Sequence, residues 1–297
     1  MKIKILYEDP NILVIDKPSG VSVHPASSEA SPDKQRNDTN SAIAEFVSLK
    51  KETISDWVLK NYPKTKNVGE PLGEIKRPGV VHRLDHETSG VMLLVKNQKA
   101  FEFLKSQFSA PALEMQNRGL ADRVNRVKKI YVAIVQGHVK NNRGVINKPI
   151  GRSPKDFRRH LAGRGARGEL REAITEYKVL RRFKVKAYQN FYPRGSHAVL
   201  SEGRRGKNYD MPKLSPFSFL EIKPKTGRTH QIRVHMKFLN HPIVCDSLYN
   251  PKGLCPKGLS RLALHAKAIE FKNLKGKIIK VESPTPKIFL KLVNLAG

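Results

Sequence analysis

Three short runs of consecutive apolar residues constrain the fold of this chain most strongly. They occupy residues 12–15, 90–96 and 130–135, and the first lies between two turn signals, Asp9-Pro10-Asn11 and Lys17-Pro18. Runs of this length without polar alternation are typical of β-strands that are covered on both faces. The sequence therefore predicts a sheet with a buried centre, and the 130–135 run is expected to be one of its central strands.

Two stretches have helical rather than strand periodicity. Ile54, Trp57, Val58 and Tyr62 follow the spacing of one helix face, and Pro63 is expected to end that helix. The spacing of Phe101, Leu104 and Phe108 predicts a second short amphipathic helix. Several strands with only a few helices indicate an α+β protein built on a mixed sheet.

The charge of the chain indicates what it binds. Its 297 residues contain 56 Lys and Arg but only 26 Asp and Glu, a formal charge of +30. A surface this basic favours a polyanion, and nucleic acid is the partner that such charge most often serves. No apolar run approaches the ~20 residues that a membrane helix needs, and the N-terminus lacks the apolar block of a signal peptide. We therefore expect a cytoplasmic protein with no membrane association.

The two cysteines, Cys245 and Cys255, do not form a pattern that binds metal. A structural zinc site needs about four ligands, and the chain has no Cys-x-x-Cys pair. We expect two ordinary thiols in a reducing compartment and no metal site.

Residues 151–215 are more basic than the rest of the chain and carry aromatic residues among the charges. Basic groups interleaved with aromatic rings suit phosphate contacts combined with base stacking. A solvated loop with its aromatic rings in the core would give the same composition. The residues concerned are Arg158-Arg159, Arg181-Arg182, Arg204-Arg205, Phe183, Tyr188, Phe191 and Tyr192.

The first motif with chemical content runs from Arg77 to Gly90 and contains His82-Arg83-Leu84-Asp85. If residues 80–84 are extended, Val81, Arg83 and Asp85 share a face, and Thr88-Ser89-Gly90 then forms a tight turn. Asp85 would lie at a strand end, where catalytic groups are often found. An Asp that merely caps backbone N–H groups in a turn is the alternative.

The second motif runs from Lys225 to Met236. Its alternation predicts a strand with Ile232, Val234 and Met236 on one face. The opposite face would then carry Thr229, Gln231, Arg233 and His235, whose donors suit phosphate or carboxylate. A plain amphipathic strand would give the same alternation.

With these motifs in order along the chain, the sequence resembles the RluA family of RNA pseudouridine synthases. The resemblance covers nearly the whole chain, and its most specific part is HRLD-x-x-TSG followed by GRTHQIRVH. The matching segments are Leu13–Gly20 with His24-Pro25, Arg77-Pro78-Gly79, His82–Asp85 with Thr88-Ser89-Gly90, Lys129–Ala133, Thr226–His235, His241-Pro242-Ile243, Leu264-His265-Ala266 and Ser283-Pro284.

This resemblance implies the α+β pseudouridine synthase fold, a mixed, mainly antiparallel sheet flanked by helices and loops. We expect one catalytic domain over 1–297 without the S4-like domain of many relatives. Segments 26–50, 109–126 and 186–215 are expected to be insertions relative to the usual family spacing.

The resemblance also implies site residues. Asp85 would be the catalytic carboxylate, acting as nucleophile or as base, and Arg233 would pair with it. Tyr131 would be the third catalytic residue, which packs on the target base or acts in proton transfer, and packing is the simpler role. Arg83 would fill the gap that the flipped uridine leaves or would contact a phosphate. The remaining expected RNA contacts are His82, Thr88, Arg228, His230 and Gln231, together with Arg204, Arg205 and Lys207 of the basic stretch.

The expected reaction is the isomerisation of uridine to pseudouridine, which needs no cofactor. We favour ribosomal RNA as the substrate and a monomer as the active form, with transfer RNA as a second possible substrate. A non-catalytic RNA-binding or ribosome-assembly protein would have the same charge. A metal-dependent nuclease would require a helix that brings His82 and His86 together as ligands.

Overall fold

A computed structural model describes residues 1–25, 52–71, 77–109, 126–189 and 212–294 of the chain. The α+β expectation is confirmed, since four α-helices and one 3-10 helix in the described residues flank two β-sheets. The helices are α1 (Ile54–Asn61), the 3-10 helix (Pro63–Asn67), α2 (Gln98–Ser109), α3 (Gln231–Phe238) and α4 (Lys287–Asn294). None of these helices has the length and apolar character needed to cross a bilayer.

The strands of the larger sheet follow the order β1-β2-β3-β12-β4-β10-β9-β11, with β13 joined to β12 and β5 joined to β9. All its strand pairs are antiparallel except β12 with β3, which run parallel. The strands are β1 (Lys4–Glu8), β2 (Ile12–Lys17), β3 (Ser89–Val95), β4 (Lys128–Gln136), β5 (Arg143–Asn147), β9 (Ile174–Gln189), β10 (Lys213–Pro224), β11 (Leu254–Pro256), β12 (Leu264–Lys272) and β13 (Ile278–Glu282).

The three apolar runs form buried strands of this sheet, as predicted. Every residue of β3 is buried, and β4 lies between β12 and β10. Helix α1 packs on one face of β2 and β3, and α2 packs on the other. The absence of polar alternation in these runs is thus explained by cover on both faces.

A second, three-stranded sheet lies beside the main one. Its order is β7-β6-β8, and its strands are β6 (Ile150–Arg152), β7 (His160–Ala162) and β8 (Arg167–Arg171). Ile150 packs with Ala173, Val234 and Tyr249 in a small apolar cluster. This cluster attaches the small sheet to helix α3.

The prediction of a strand over residues 80–84 is wrong. Only Val80 makes an isolated bridge, to Leu94, and the chain then forms a loop that carries Asp85. The predicted turn at Thr88-Ser89-Gly90 is also wrong, because Ser89 and Gly90 begin β3. Gly90 has φ +110°, and a Cβ there would lie 2.1 Å from the carbonyl oxygen of Ala266 on the parallel neighbour β12. The glycine is therefore required by close strand contact.

The predicted strand over Thr229–Met236 is wrong as well, since this segment forms helix α3. Ile232 and Met236, four residues apart, pack into the main core. Val234 packs on the opposite side, in the cluster beneath the small sheet. All residues from Gln231 to Met236 are buried. The polar residues among them therefore do not mark a side of the segment that faces solvent.

The expectation of two separate thiols is corrected. Cys245 and Cys255 form a disulfide, with their Cα atoms 5.3 Å apart. The loop before β11 brings them together, which their separation of ten residues in the sequence did not indicate.

Most of the expected insertions lie outside the described residues, as do Arg204, Arg205, Lys207, Phe191 and Tyr192. The described part of the basic stretch consists largely of strands β6 to β10. Within it, Phe183 is only 4% exposed and belongs to the main core.

Candidate active site

A cavity of about 490 Å³ opens where the Asp85 loop, β4, the end of β10 and the start of α3 meet. The Asp85 loop, β4 and the segment that joins β10 to α3 are far apart in the sequence, and the fold brings them together. Every predicted site residue that the structure describes lines this cavity. The residues are His82, Arg83, Asp85, Thr88, Tyr131, Arg228, His230, Gln231 and Arg233.

The loop that carries Asp85 is fixed by a buried lysine. Lys17 is completely buried at the end of β2, and its Nζ donates to the carbonyl oxygens of Pro18, Val21 and His86 at 2.8–3.1 Å. Burial lowers the pKa of Lys17 to about 7, although the negative charge of Asp85 opposes this shift. Lys17 thus joins β2 to the residue that follows Asp85.

Arg233 approaches Asp85 but is held chiefly by another carboxylate. Its Nη1 lies 3.5 Å from Oδ2 of Asp85. Its Nε and Nη2 donate to the two oxygens of Asp246 at 2.8 and 2.7 Å, a bidentate pair in which both side chains are buried. Because a bidentate pair fixes the guanidinium plane, Asp246 determines how Arg233 faces Asp85.

A third carboxylate, Glu87, lies 3.5 Å from Nη2 of Arg233. Burial by itself lowers the pKa of Arg233, but the hydrogen bonds and charge of Asp246, then the charges of Asp85 and Glu87, outweigh it and raise this pKa above its ordinary value. The guanidinium therefore stays charged and places a fixed positive group beside the loop that carries Asp85.

His230 lies on the other side of Asp85, with its Nε2 3.9 Å from Oδ1. Its Nδ1 is 3.0 Å from the hydroxyl of Tyr249, which also accepts the backbone N–H of His160 at 3.0 Å. Burial raises the pKa of Tyr249 to about 12, so the phenol keeps its proton and can donate it to Nδ1 of His230. In this arrangement the proton of the neutral imidazole lies on Nε2, which faces Asp85.

Tyr131 stands on β4 at the wall of the cavity. Burial, followed by the charge of Asp85, raises its pKa above the ordinary value. Its phenol is therefore a poor base at neutral pH, and its ring offers a flat surface against which a base can pack. Two residues earlier on β4, Lys129 donates to the carbonyl oxygen of Thr226 at 3.1 Å, and burial lowers its pKa to about 8.

Several predicted RNA contacts are hydrogen-bonded within the protein, among them His82 and Gln231. Nε2 of His82 accepts the backbone N–H of Leu93 at 2.9 Å, and burial lowers the pKa of this imidazole to about 3. The amide of Gln231 accepts from Thr226 Oγ1 and donates to the carbonyl oxygen of Ile174. These bonds hold the walls of the cavity in place.

Three other predicted contacts keep polar groups near the cavity. Arg83 and Arg228 are exposed at its rim, and Nε of Arg228 donates to the carbonyl oxygen of Glu172 at 2.9 Å. The hydroxyl of Thr88 is buried and has no hydrogen-bond partner among the described residues.

Sequence reasoning missed Asp246, Tyr249 and Lys17. Lys17 lies in a matched family segment but has no polar pattern around it. Asp246 follows the apolar residues Val244 and Cys245, so an acidic residue at the end of a buried segment was the available signal. Tyr249 carried none.

Comparison with known proteins identifies the family. The model of the family described as RNA pseudouridylate synthase matches residues 11–238 of the chain. The chain belongs to this family. Its members isomerise uridine to pseudouridine in RNA, and the expected resemblance to RluA-type enzymes is confirmed.

Relatives of known name support the same conclusion. The chain is 32% identical over 289 residues to a protein of Borreliella burgdorferi named ribosomal large subunit pseudouridine synthase D, covering 97% of this chain and 67% of that protein. A protein of Pseudomonas aeruginosa with the same name is 30% identical over 307 residues, covering 99% of this chain and 72% of that protein.

Solved structures confirm the fold. Human RNA pseudouridylate synthase domain containing 1 aligns with a TM-score of 0.57 at 20% identity, covering 96% of this chain and 84% of that one. Human RNA pseudouridylate synthase domain containing 4 aligns with a TM-score of 0.56 at 21% identity, covering 98% and 92%.

Proposed function

We propose that Asp85 is the catalytic carboxylate of this RNA-modifying isomerase and that ribosomal RNA is its substrate. The observation that carries the proposal is the position of Asp85, at the wall of the cavity and 3.5 Å from a guanidinium that Asp246 holds in a fixed plane. The positive charge of this guanidinium offsets the repulsion between the carboxylate of Asp85 and an RNA backbone.

The reaction breaks the C1′–N1 bond of uridine, turns the uracil and joins C5 to C1′. The proton on C5 is lost and N1 gains one, so that the net change is an isomerisation. The carboxylate of Asp85 can attack the ribose covalently or accept a ribose proton during elimination. Either role requires that bulk water stay out, because water would convert the intermediate to a hydrolysis product. The flat wall at Tyr131 and the buried face of α3 support this exclusion.

His230 and Tyr131 have separate roles in this proposal. Nε2–H of His230 lies near Asp85 and the reacting base, so it can donate a hydrogen bond to a uracil oxygen while the base turns. Tyr131 packs on the ring of the uracil and keeps its phenolic proton. Arg83, exposed at the rim, is positioned to occupy the space that the flipped uridine leaves in the RNA.

Ribosomal RNA is proposed because several relatives that the chain matches over almost its full length are named ribosomal large subunit enzymes. The test is pseudouridine mapping of total RNA from cells with and without the gene, and again from cells that carry only the Asp85→Asn form. Loss of a modified position in large-subunit RNA in both mutant cells is the expected result.

The same experiment distinguishes the alternatives. A missing modification in transfer RNA would show that transfer RNA, not ribosomal RNA, is the substrate. An unchanged map with a growth or ribosome-assembly defect would indicate a non-catalytic role. The metal-dependent nuclease is disfavoured because residues 82–86 are not helical and Nε2 of His82 accepts a backbone N–H.

A further inference from the structure

The loop between β6 and β7 displays an aromatic side chain to solvent. Phe157 is 79% exposed, more than any other large apolar residue that the structure describes. Isolated exposed apolar residues are common on protein surfaces and need no special explanation. Three features distinguish Phe157: the hydrogen bonds of its loop, the basic residues around it and its closeness to the catalytic cavity.

The loop makes several hydrogen bonds to one carboxylate. Asp156 accepts the backbone N–H of Arg158 at 3.0 Å and forms two bonds with its guanidinium at 3.0 and 3.1 Å. The loop is closed at its base by the backbone N–H of Ser153, which donates to the carbonyl oxygen of Arg159 at 2.9 Å. Phe157 lies between these bonded residues, at the tip of a hydrogen-bonded turn.

The surroundings of Phe157 are strongly basic. The small sheet and its loops, residues 150–171, contain seven Lys and Arg but only two Asp and Glu. Arg152, Lys155, Arg164 and Arg167 are all exposed. An exposed aromatic ring within such a field matches a nucleic acid, whose phosphates face the charges while a base stacks on the ring.

The loop also lies close to the catalytic cavity. His160, three residues after Phe157, has its ring centroid 6.0 Å from that of His230, whose Nε2 is 3.9 Å from Asp85. Three residues of chain span at most about 11 Å. Phe157 is therefore within reach of RNA that enters the cavity beside the target uridine.

We propose that Phe157 stacks on an unpaired base next to the target uridine, so that the β6–β7 loop is an RNA-binding element outside the catalytic cavity. This inference rests on the proposed function for the nature of the bound RNA. It assigns to Phe157 the stacking role that the composition of the 151–215 stretch suggested for Phe183, which is buried in the core.

The test compares Phe157→Ala, Phe157→Leu and Phe157→Trp with the wild-type protein, using a fluorescently labelled short single-stranded RNA of mixed sequence as the probe. Loss of one base–aromatic stack costs about 1–3 kcal/mol, so Phe157→Ala should weaken binding by about 5- to 150-fold. Phe157→Leu should lose most of the same affinity, and Phe157→Trp should retain it. Val145→Ala, a similarly exposed apolar residue on β5, is the control and should bind like wild type.

Two further measurements separate stacking from charge. Phe157→Ala should leave the salt dependence of binding unchanged, whereas Lys155→Gln should reduce the log–log slope by about 0.7. The tryptophan of Phe157→Trp should be quenched by the RNA but not by heparin, a polyanion without bases; the only native tryptophan, Trp57, is buried.

Wild-type affinity in Phe157→Ala or in Phe157→Leu would overturn the stacking contact, as would equal quenching by RNA and heparin. If binding depends on Phe157 but the purified wild-type protein forms no pseudouridine, the proposed function fails and the RNA contact stands. If pseudouridine forms in Phe157→Ala with unchanged kcat and KM, the contact fails and the proposed function stands.

Discussion

The catalytic cavity and the small basic sheet both contain arginine–carboxylate pairs, but the pair at the cavity is buried and the pair on the small sheet is exposed. In the cavity, the pair of Arg233 and Asp246 is 4% and 0% exposed. On the small sheet, the pair of Arg171 and Glu169 is 59% and 71% exposed. A buried pair is costly to break because a single charge remains without solvent, whereas an exposed pair is solvated and contributes about 0–1 kcal/mol.

This difference matches what each region has to do. Under the proposed function, the guanidinium of Arg233 has to keep one orientation relative to Asp85, and burial beside Asp246 provides that. Under the proposed RNA contact of the β6–β7 loop, the arginines of the small sheet have to exchange their partners for phosphate groups. The comparison therefore predicts chemical or folding defects from changes in the cavity, and only weaker RNA binding from changes in the basic regions.

The largest effect is expected from Asp85→Asn. The amide keeps the shape of the side chain but can neither attack the ribose nor accept a proton. Pseudouridine formation should fall by about a thousandfold or more, while RNA affinity should be kept because one charge that repels phosphate is removed. The measurement is single-turnover pseudouridine yield together with binding of the same RNA. Near-normal yield would show that another group performs the chemistry.

Asp246→Ala should destabilise the fold and misplace Arg233. It leaves a buried guanidinium without its bidentate partner and removes the acceptor for the backbone N–H groups of Leu248 and Tyr249. The free energy of unfolding should fall by about 3–5 kcal/mol in urea titrations. Glu169→Ala, which removes the exposed partner of Arg171, is the matched control and should change it by less than about 1 kcal/mol. Similar losses in the two variants would contradict the comparison.

Asp246→Asn is the variant that separates folding from positioning. Its side-chain oxygen can still accept the backbone N–H groups, but the fixed charge pair with Arg233 is lost. We expect a folded protein with reduced kcat and little change in RNA affinity. A normal kcat would show that Asp85 does not depend on the orientation of Arg233.

A smaller effect is expected at low pH from His265, which is 2% exposed and whose Nδ1 lies 2.8 Å from the hydroxyl of Ser89. Burial, with Asp16 opposing, lowers the pKa of His265 to about 4. Between about pH 6.5 and 4 the unfolded histidine binds a proton that the folded one does not, so stability is lost as the pH falls. The slope is about 1.4 kcal/mol per pH unit.

His265→Asn should remove this contribution. Urea titrations at several pH values should give a variant whose free energy of unfolding depends less on pH in this window than that of the wild type. Because other histidines also titrate, the quantity to compare is the difference between the two proteins. Parallel curves would mean that His265 titrates alike in the folded and unfolded states.

The smallest effect on stability and turnover is expected when Arg204, Arg205 and Lys207 are replaced by Ala. Each lost phosphate contact should reduce the log–log salt slope by about 0.7, and affinity should weaken. Thermal stability and the turnover of saturated enzyme should hardly change, because uniform binding affects KM rather than the chemical step. A collapse of kcat would place these residues in the catalytic machinery, and an unchanged slope would leave them without a role in RNA binding.

The sequence by itself determined the central strands, the two predicted helices and the identity of Asp85 as the candidate catalytic residue. An apolar run indicates a strand buried on both faces, and helical spacing indicates a helix buried on one face. Both patterns can be recognised without knowing which elements pack against them. The motifs likewise placed nine described residues around one cavity, because their order along the chain follows the family.

Only the tertiary structure decided the rest. Residues Gln231 to Met236 of helix α3 are all buried, so their alternating polarity resembled a strand although none of the six residues is exposed to solvent. The partner of Arg233 is Asp246, thirteen residues away, because the turn after α3 returns the chain beneath the guanidinium. Phe157 is exposed and Phe183 is buried, although both lie in one basic stretch. The composition of the stretch does not distinguish these two phenylalanines. Packing against distant elements determines which of them is exposed to an RNA base.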